Sequence, residues 1–278
     1  MIRRFMKTFR RKYYEIETEK LKGGKEVRFA LLSDLHGVTF GADNRLLLDA
    51  VMEEKADAVL VVGDMFVRSQ LSTMDPARTM LAELAEQIPV YYSLGNHEYV
   101  LLDGSSAKEA YLEYERYLTD CGVCFLHNEH TCMEIRGTDF IFYGLELPME
   151  YYKKPKSPRL SISELDRFLG TPHMDGIHIL LAHNPKYGST YLSWGADLIV
   201  SGHYHGGVVR LSENRGLTCP QYLLFPPYCC GEFQRAGRHM IVSAGLGEHT
   251  IPIRIHNPRE LLIITVKPPK ASEKKERK

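Results

Sequence analysis

The chain has 278 residues, of which 44% are hydrophobic and 25% charged. These are ordinary globular values, and they exclude a wholly disordered chain and a small disulfide-stapled one. Lys plus Arg number 35 and Asp plus Glu number 35, so no basic excess marks a nucleic-acid binder.

The first residues are basic. Arg3, Arg4, Lys7, Arg10, Arg11 and Lys12 are interleaved with Ile2, Phe5, Met6, Phe9 and Tyr13 near helical spacing. Two readings stand side by side: a short amphipathic helix lying on an anionic membrane surface, and a solvated basic start. Charged residues continue through Lys22, so no cleavable export signal is expected, and no apolar run approaches the roughly 20 residues that span a bilayer. Residues 1–25 are taken as a basic amphipathic segment, 26–267 as one domain and 268–278 as a disordered polar tail.

Strands are predicted over 27–33, 58–63, 90–95, 131–135, 140–145, 177–182, 198–202, 208–211, 240–244 and 261–266. Helical patterns cover 44–54, 76–87 and 107–121, with Pro76 suited to a first turn. The Tyr-, Lys- and Pro-rich stretch 149–158 reads as a surface loop, and its Tyr151 and Tyr152 either flank a site or are ordinary surface residues. Strands alternating with helices, then a strand-rich second half, predict an α/β domain with a mixed sheet or two stacked sheets. Cys121 and Cys124 have a C-x-x-C spacing without a second pair, so the six cysteines read as reduced thiols, and no role is assigned to Cys229 and Cys230.

The informative residues follow five of the apolar runs. Asp34-Leu-His36 comes after the first, Asp64 after the second and Asn96-His97-Glu98 after the third. His183 follows the run 177–182, and His203-Tyr-His205 follows 198–202. In an open α/β sheet these positions lie just beyond the strands' carboxyl ends, where such sheets place their ligands. A lone His or Asp there is usually a cap or a satisfied polar group, but five such sets in one chain form a mixed imidazole and carboxylate donor group. That set suits first-row transition ions better than calcium or magnesium, and it exceeds what one ion needs. A carboxylate such as Asp64 has two oxygens and can bridge a pair of cations.

Asp34-Leu-His36, Gly63-Asp64, Gly95-Asn96-His97-Glu98, His183 and Gly202-His203-Tyr-His205 resemble the calcineurin-like metallophosphoesterase superfamily. Gly206-Gly207-Val-Val-Arg210, Gly245-Leu-Gly247 and Ile251-Pro-Ile-Arg254 are similar to its YkuE-like bacterial branch. The resemblance implies a four-layer α/β/β/α sandwich and two divalent transition-metal ions, Mn, Fe or Zn. It implies that Asp34, His36 and His205 hold one ion, that Asp64 bridges, and that Asn96, His183 and His203 hold the other. His97 would face the scissile phosphate without binding metal, and Glu98 would orient His97. Many relatives carry an acidic residue three positions after the bridging aspartate, where this chain has Val67.

The implied activity is hydrolysis of a phosphodiester or pyrophosphate bond by attack of a metal-bound hydroxide. A lipid-linked or cell-envelope substrate is favoured, with peripheral membrane contact through the N-terminus and a cytoplasmic location. A soluble nucleotide phosphodiesterase is the alternative. A non-catalytic metal-binding scaffold is the reading from another class, and relatives of that kind usually lack motif residues that this chain retains. Arg210 and Arg254 are candidates for a substrate phosphate or for structural ion pairs, and His249 is a candidate to line the site.

Overall fold

The computed structural model describes residues 7–104, 106–154, 156–172, 175–248 and 253–270. In chain order the first half holds β1 (Arg10–Glu17), β2 (Val27–Leu32), α1 (Arg45–Glu53), β3 (Ala58–Val62), α2 (Met74–Ala85), β4 (Val90–Ser93), α3 (Asn96–Leu102), α4 (Lys108–Asp120) and β5 (Val123–Phe125). The second half holds β6 (Glu129–Ile135), β7 (Thr138–Leu145), α5 (Ile162–Leu169), β8 (Ile177–Ala182), α6 (Gly188–Trp194) and β9 (Leu198–Ser201). It ends with β10 (Arg210–Ser212), β11 (Arg215–Gly216), β12 (Gly231–Arg235), β13 (Arg238–Val242) and β14 (Glu260–Lys267).

Two six-stranded mixed sheets form, in the orders β1-β14-β2-β3-β4-β5 and β12-β13-β9-β8-β7-β6. Alternation along each strand divides the apolar residues between layers. Ala30, Leu32, Val59 and Val61 face α1, α2 and α4, whereas Phe29, Leu31, Leu60 and Val62 meet the second sheet. From that sheet Ile179 and Leu181 enter the same inter-sheet core, while Leu180 and Ala182 pack outward with α5 and α6. The expected four-layer α/β/β/α sandwich follows. Phe29 is fully buried between Phe140 and Phe142, with ring centroids 5.4 and 5.9 Å away.

Strands β2, β3, β4 and β5 run parallel, as do β7, β8, β9 and β13. Each is entered by a crossover, so the carboxyl ends of both sheets gather at one rim. The exceptions are hairpins with two-residue turns: Arg136 and Gly137 join β6 to β7, and Ala236 and Gly237 join β12 to β13, all with positive φ. That conformation matches the strands' right-handed twist.

The amino-terminal expectation needs correction. Residues 10–17 are not part of a separate amphipathic segment; they pair with β14 along the whole register from Arg10–Glu260 to Glu17–Lys267. Tyr14 and Ile16 point inward with period two. The basic residues are engaged by the fold, Lys7 with Glu248, Arg11 with Glu53 and Glu54, and Lys12 with Glu213. Residues 1–6 and the tail beyond residue 270 lie outside the described residues. Among the described residues no helix is long and apolar enough to cross a membrane.

Candidate metal centre

Each motif lies just beyond the end of a parallel strand, as its position in the sequence suggests, with Asn96-His97-Glu98 opening α3. The backbone there is unusual. Asp34, His36, Asp64, His203 and His205 have φ values of 51°, 46°, 55°, 67° and 48°. L-residues enter this left-handed region at a cost of roughly 1–2 kcal/mol each, so the surroundings must impose it. Glycine makes room: a Cβ at Gly202 would stand 1.9 Å from Ser33 Oγ and 2.4 Å from Asp34 Oδ2. A Cβ on Gly95 would stand 2.2 Å from Asp64 Oδ1. The carboxylates therefore press against bare backbone from neighbouring strands.

Among the described residues the side chains converge in three overlapping groups. Asp34, His36 and His205 each offer a donor atom within 4.8 Å of the others, as do Asp64, His183 and His203, and so do His36, Asp64 and His97. Asp64 Oδ2 stands between the groups, 3.1 Å from His183 Nε2 and 3.6 Å from His36 Nε2. Its Oδ1 accepts the backbone N–H of His97 at 2.9 Å. On the other flank His205 Nε2 lies 3.4 Å from Asp34 Oδ1 and 3.2 Å from His36 Nε2.

Second partners fix these groups. His183 Nδ1–H donates to the Val62 carbonyl at 2.6 Å, which leaves Nε2 aimed at the two carboxylates. Asp34 accepts the His203 backbone N–H at 2.9 and 3.1 Å, and Ser33 Oγ also donates to it. The Gln221 amide nitrogen lies 2.8 Å from His203 Nε2, and Gln221 is buried. His97 Nδ1 accepts the Arg68 backbone N–H at 3.2 Å, so in the neutral ring the proton sits on Nε2.

The electrostatics call for a cation. Asp34 and Asp64 are buried, and the ion pairs formed by either among the described residues are to imidazoles. Burial and the neighbouring Asp64 charge push Asp34 up to about 6 against the pull of His183. Burial also works against the Asp64 charge, but His183, His97 and His36 outweigh it and hold this carboxyl well below the usual range. Burial opposes protonation of His183, yet Asp64 and Asp34 beside it push the imidazole up to about 10. A proton shared so closely between carboxylate and imidazole is what a divalent ion displaces.

Asn96 supplies an independent check. Its Oδ1 is buried and has no hydrogen-bond partner among the described residues, although Asn96 lines the same cavity as Asp64 and His203. A buried acceptor left unpaired costs about 1–3 kcal/mol, so a ligand facing it restores the balance. Donor types, burial and this orphan oxygen together fit two divalent ions.

Residues 27–207 match the family described as calcineurin-like phosphoesterase. The chain belongs to that family. It is a metal-dependent phosphoester hydrolase, and the family's two divalent ions fit the donors just described. It is 29% identical over 256 residues to an uncharacterized metallophosphoesterase of Aquifex aeolicus, covering 91% of this chain and 90% of that one. It is 31% identical over 265 residues to a transmembrane protein with metallophosphoesterase domain from Danio rerio, covering 91% of this chain but 56% of the relative. The chain thus spans about half the length of that animal relative. The Bacillus subtilis metallophosphoesterase YkuE matches at 29% over 119 residues, 39% of this chain and 41% of that one. Among solved structures, the sulfate thiohydrolase SoxB of Thermus thermophilus superposes with a TM-score of 0.50 at 14% identity, covering 82% of this phosphoesterase and 53% of SoxB. That likeness concerns the fold alone.

Several residues of the phosphoesterase sit elsewhere than the sequence suggests. Glu98 does not orient His97. Its carboxylate accepts the backbone N–H groups of Asp64, Met65 and Gly95 at 2.9, 2.8 and 3.1 Å and the Tyr92 hydroxyl at 2.8 Å, so it braces the turn that carries Asp64. Arg210 pairs with Glu260 at 2.5 Å, away from the cavity. Arg254 donates to the carbonyls of Ala244 and Gly247 at 2.8 and 2.5 Å and holds the late glycine loop in place. Neither guanidinium lines the cavity that holds Asp64 and His97, and His249 lies outside the described residues.

Other lining residues carried no motif. Arg68, Lys154 and Gln221 line the cavity with His97. Tyr152 is buried, with its ring 5.2 Å from that of His203, so the stretch read as a surface loop forms one wall. The six cysteines are free thiols, and no metal-ligand cluster among the described residues contains one.

Proposed function

We propose that this phosphoesterase cleaves a phosphodiester or pyrophosphate bond in a lipid-linked substrate, with His97 donating a hydrogen bond from Nε2 to the leaving oxygen as that oxygen gains charge. The observation that carries the reading is the hydrogen bond from Arg68 N–H to His97 Nδ1, which leaves an Nε2–H donor beside the shared Asp64 centre. Asp34, His36 and His205 would hold one ion, Asn96, His183 and His203 the other, and Asp64 both. When bound, the two ions supply Lewis acidity to the phosphoryl oxygens and acidify water at the site.

The residues divide the remaining work. Glu98 keeps the Asp64 turn rigid, and Gln221 fixes the His203 ring. Arg68 and Lys154 give the cavity wall positive charge beyond the metal ligands. The cavity holds about 640 Å³, which leaves room for groups on both sides of a phosphorus. Those features support a diester or pyrophosphate over a bare monoester. The name of the Danio rerio relative, a transmembrane protein, supports a substrate held at a membrane.

The test compares the manganese-loaded protein on bis-p-nitrophenyl phosphate and p-nitrophenyl phosphate, then on long-chain and short-chain lipid phosphodiesters and soluble nucleotides. Faster turnover of the diester by about tenfold or more, with long-chain lipid preferred to short, agrees with the reading. A monoester preference sinks the diester assignment. A nucleotide preference sinks the lipid assignment alone.

A further inference from the structure

Beside the catalytic cavity, Tyr222, Leu224 and Phe225 are 74%, 70% and 64% exposed. Three large apolar side chains within four residues are costly to leave in water, and such patches mark interaction surfaces. The segment is held in place: Tyr222 N–H donates to Cys219 carbonyl and Phe225 N–H to Leu217 carbonyl, both at 2.9 Å. Intervening Leu223 packs inward against the cluster of Tyr204, Cys219, Cys229 and Cys230. The fold therefore presents these side chains outward from a fixed backbone.

The surroundings indicate what they meet. The two residues before the tip, Pro220 and Gln221, line the catalytic cavity. The Lys154 ammonium, from the same cavity wall, lies 4.9 Å from the Tyr222 ring centroid. On the far flank Phe225 lines a groove of mixed character with Leu211, Pro226 and Phe233, to which Ser212 and exposed Arg215 also contribute. Aromatic and aliphatic tips flanked by cations match the interface of an anionic bilayer, where apolar groups enter the acyl boundary and ammonium or guanidinium groups meet phosphates.

We infer that the segment from Tyr222 to Phe225 seats the enzyme on an anionic lipid surface, with the cavity mouth beside the headgroups. The inference rests on the lipid-linked reading above. It places the membrane contact on this loop rather than on the basic N-terminal stretch, whose Lys7, Arg11 and Lys12 are already paired within the fold.

The experiment is flotation of the full chain with vesicles of phosphatidylglycerol mixed with phosphatidylcholine, and with phosphatidylcholine alone. Wild type is compared with Leu224→Ser/Phe225→Ser, and hydrolysis of soluble bis-p-nitrophenyl phosphate reports whether the variant folds and catalyses normally. The expected result is wild-type binding to the anionic vesicles, weakened about tenfold or more in the variant, with soluble turnover unchanged. Tyr222→Ser provides a second variant with the same expectation. Absence of wild-type binding, or equal binding by the variants, overturns the inference. So does light scattering that shows a wild-type dimer and a monomeric variant, because a second copy would then cover the loop. Soluble diester turnover is read separately, so loss of the vesicle result leaves the catalytic reading standing.

Discussion

The His97 imidazole accepts the backbone N–H of Arg68 at Nδ1 over 3.2 Å, and this one contact decides which ring nitrogen can donate a hydrogen bond. Removing the ring by His97→Ala leaves in place the seven residues proposed as ligands. The expected loss in kcat is about 100- to 1,000-fold for an alkyl diester, with metal content unchanged. The loss should be much smaller for a p-nitrophenyl ester, whose leaving group needs little stabilisation. Equal losses on the two substrates would remove His97 from the leaving oxygen, and a loss of metal would make it a ligand.

Glu98 accepts four hydrogen bonds behind Asp64. Glu98→Gln turns an amide NH2 toward at least one N–H or O–H donor. An expected stability loss of about 2–4 kcal/mol follows from the unmatched donors, together with weaker metal binding because the Asp64 turn loosens. Denaturant unfolding and metal titration measure both. An unchanged metal affinity would show that Asp64 holds its place without this brace.

Gly202 touches Asp34 so closely that a Cβ there would meet Oδ2 at 2.4 Å. Gly202→Ala is expected to cost about 1–3 kcal/mol by overpacking and to displace Asp34 from its ion. Activity should fall further than stability does. A variant with wild-type kcat and metal content would mean that the Asp34 carboxylate has room to move.

His127 tests an ion pair that shares no residue with the candidate metal groups. Its imidazole lies 2.7 Å from Glu146 and 3.0 Å from Glu115, and those hydrogen bonds push it up to about 10 against the effect of burial. A raised imidazole stabilises the fold fully below the unfolded value near 6.5, and the gain disappears as pH rises through about 10. His127→Gln should therefore cost roughly 1–2 kcal/mol near pH 6, reduced from the full shift because a third of the side chain is solvated. The difference should vanish toward pH 10. A pH-independent difference would mean that packing, not charge, is what His127 contributes.

Much of the site was legible because strand ends are simple objects. A parallel strand delivers the next residue to the rim, so Asp34, Asp64, Asn96, His183 and His203 could be placed from apolar runs alone. Glu98 was misread because it adjoins His97 in sequence. Adjacent residues on a helix point about 100° apart, and in α3 the two side chains serve different neighbours. Arg210 and Arg254 could not be separated from substrate ligands, since their partners are a carboxylate 50 residues away and the carbonyls of a loop. Gln221 lies in a loop with no motif. Strand β1 was hidden by charge, for only Tyr14 and Ile16 mark its inner face. The helix α5 carries the Ser161–Glu164 capping box and places Leu165, Phe168 and Leu169 on one face, so it was legible in the sequence although no helix is predicted there.

The most direct measurement is metal content together with metal-dependent hydrolysis of bis-p-nitrophenyl phosphate, for wild type and Asp64→Asn. If Asp64 bridges two ions, the wild type binds two and turns over. The variant then binds fewer and loses about 100-fold or more in rate, with its fold intact by circular dichroism. Equal metal content and equal rates in the two proteins would contradict the shared-carboxylate centre.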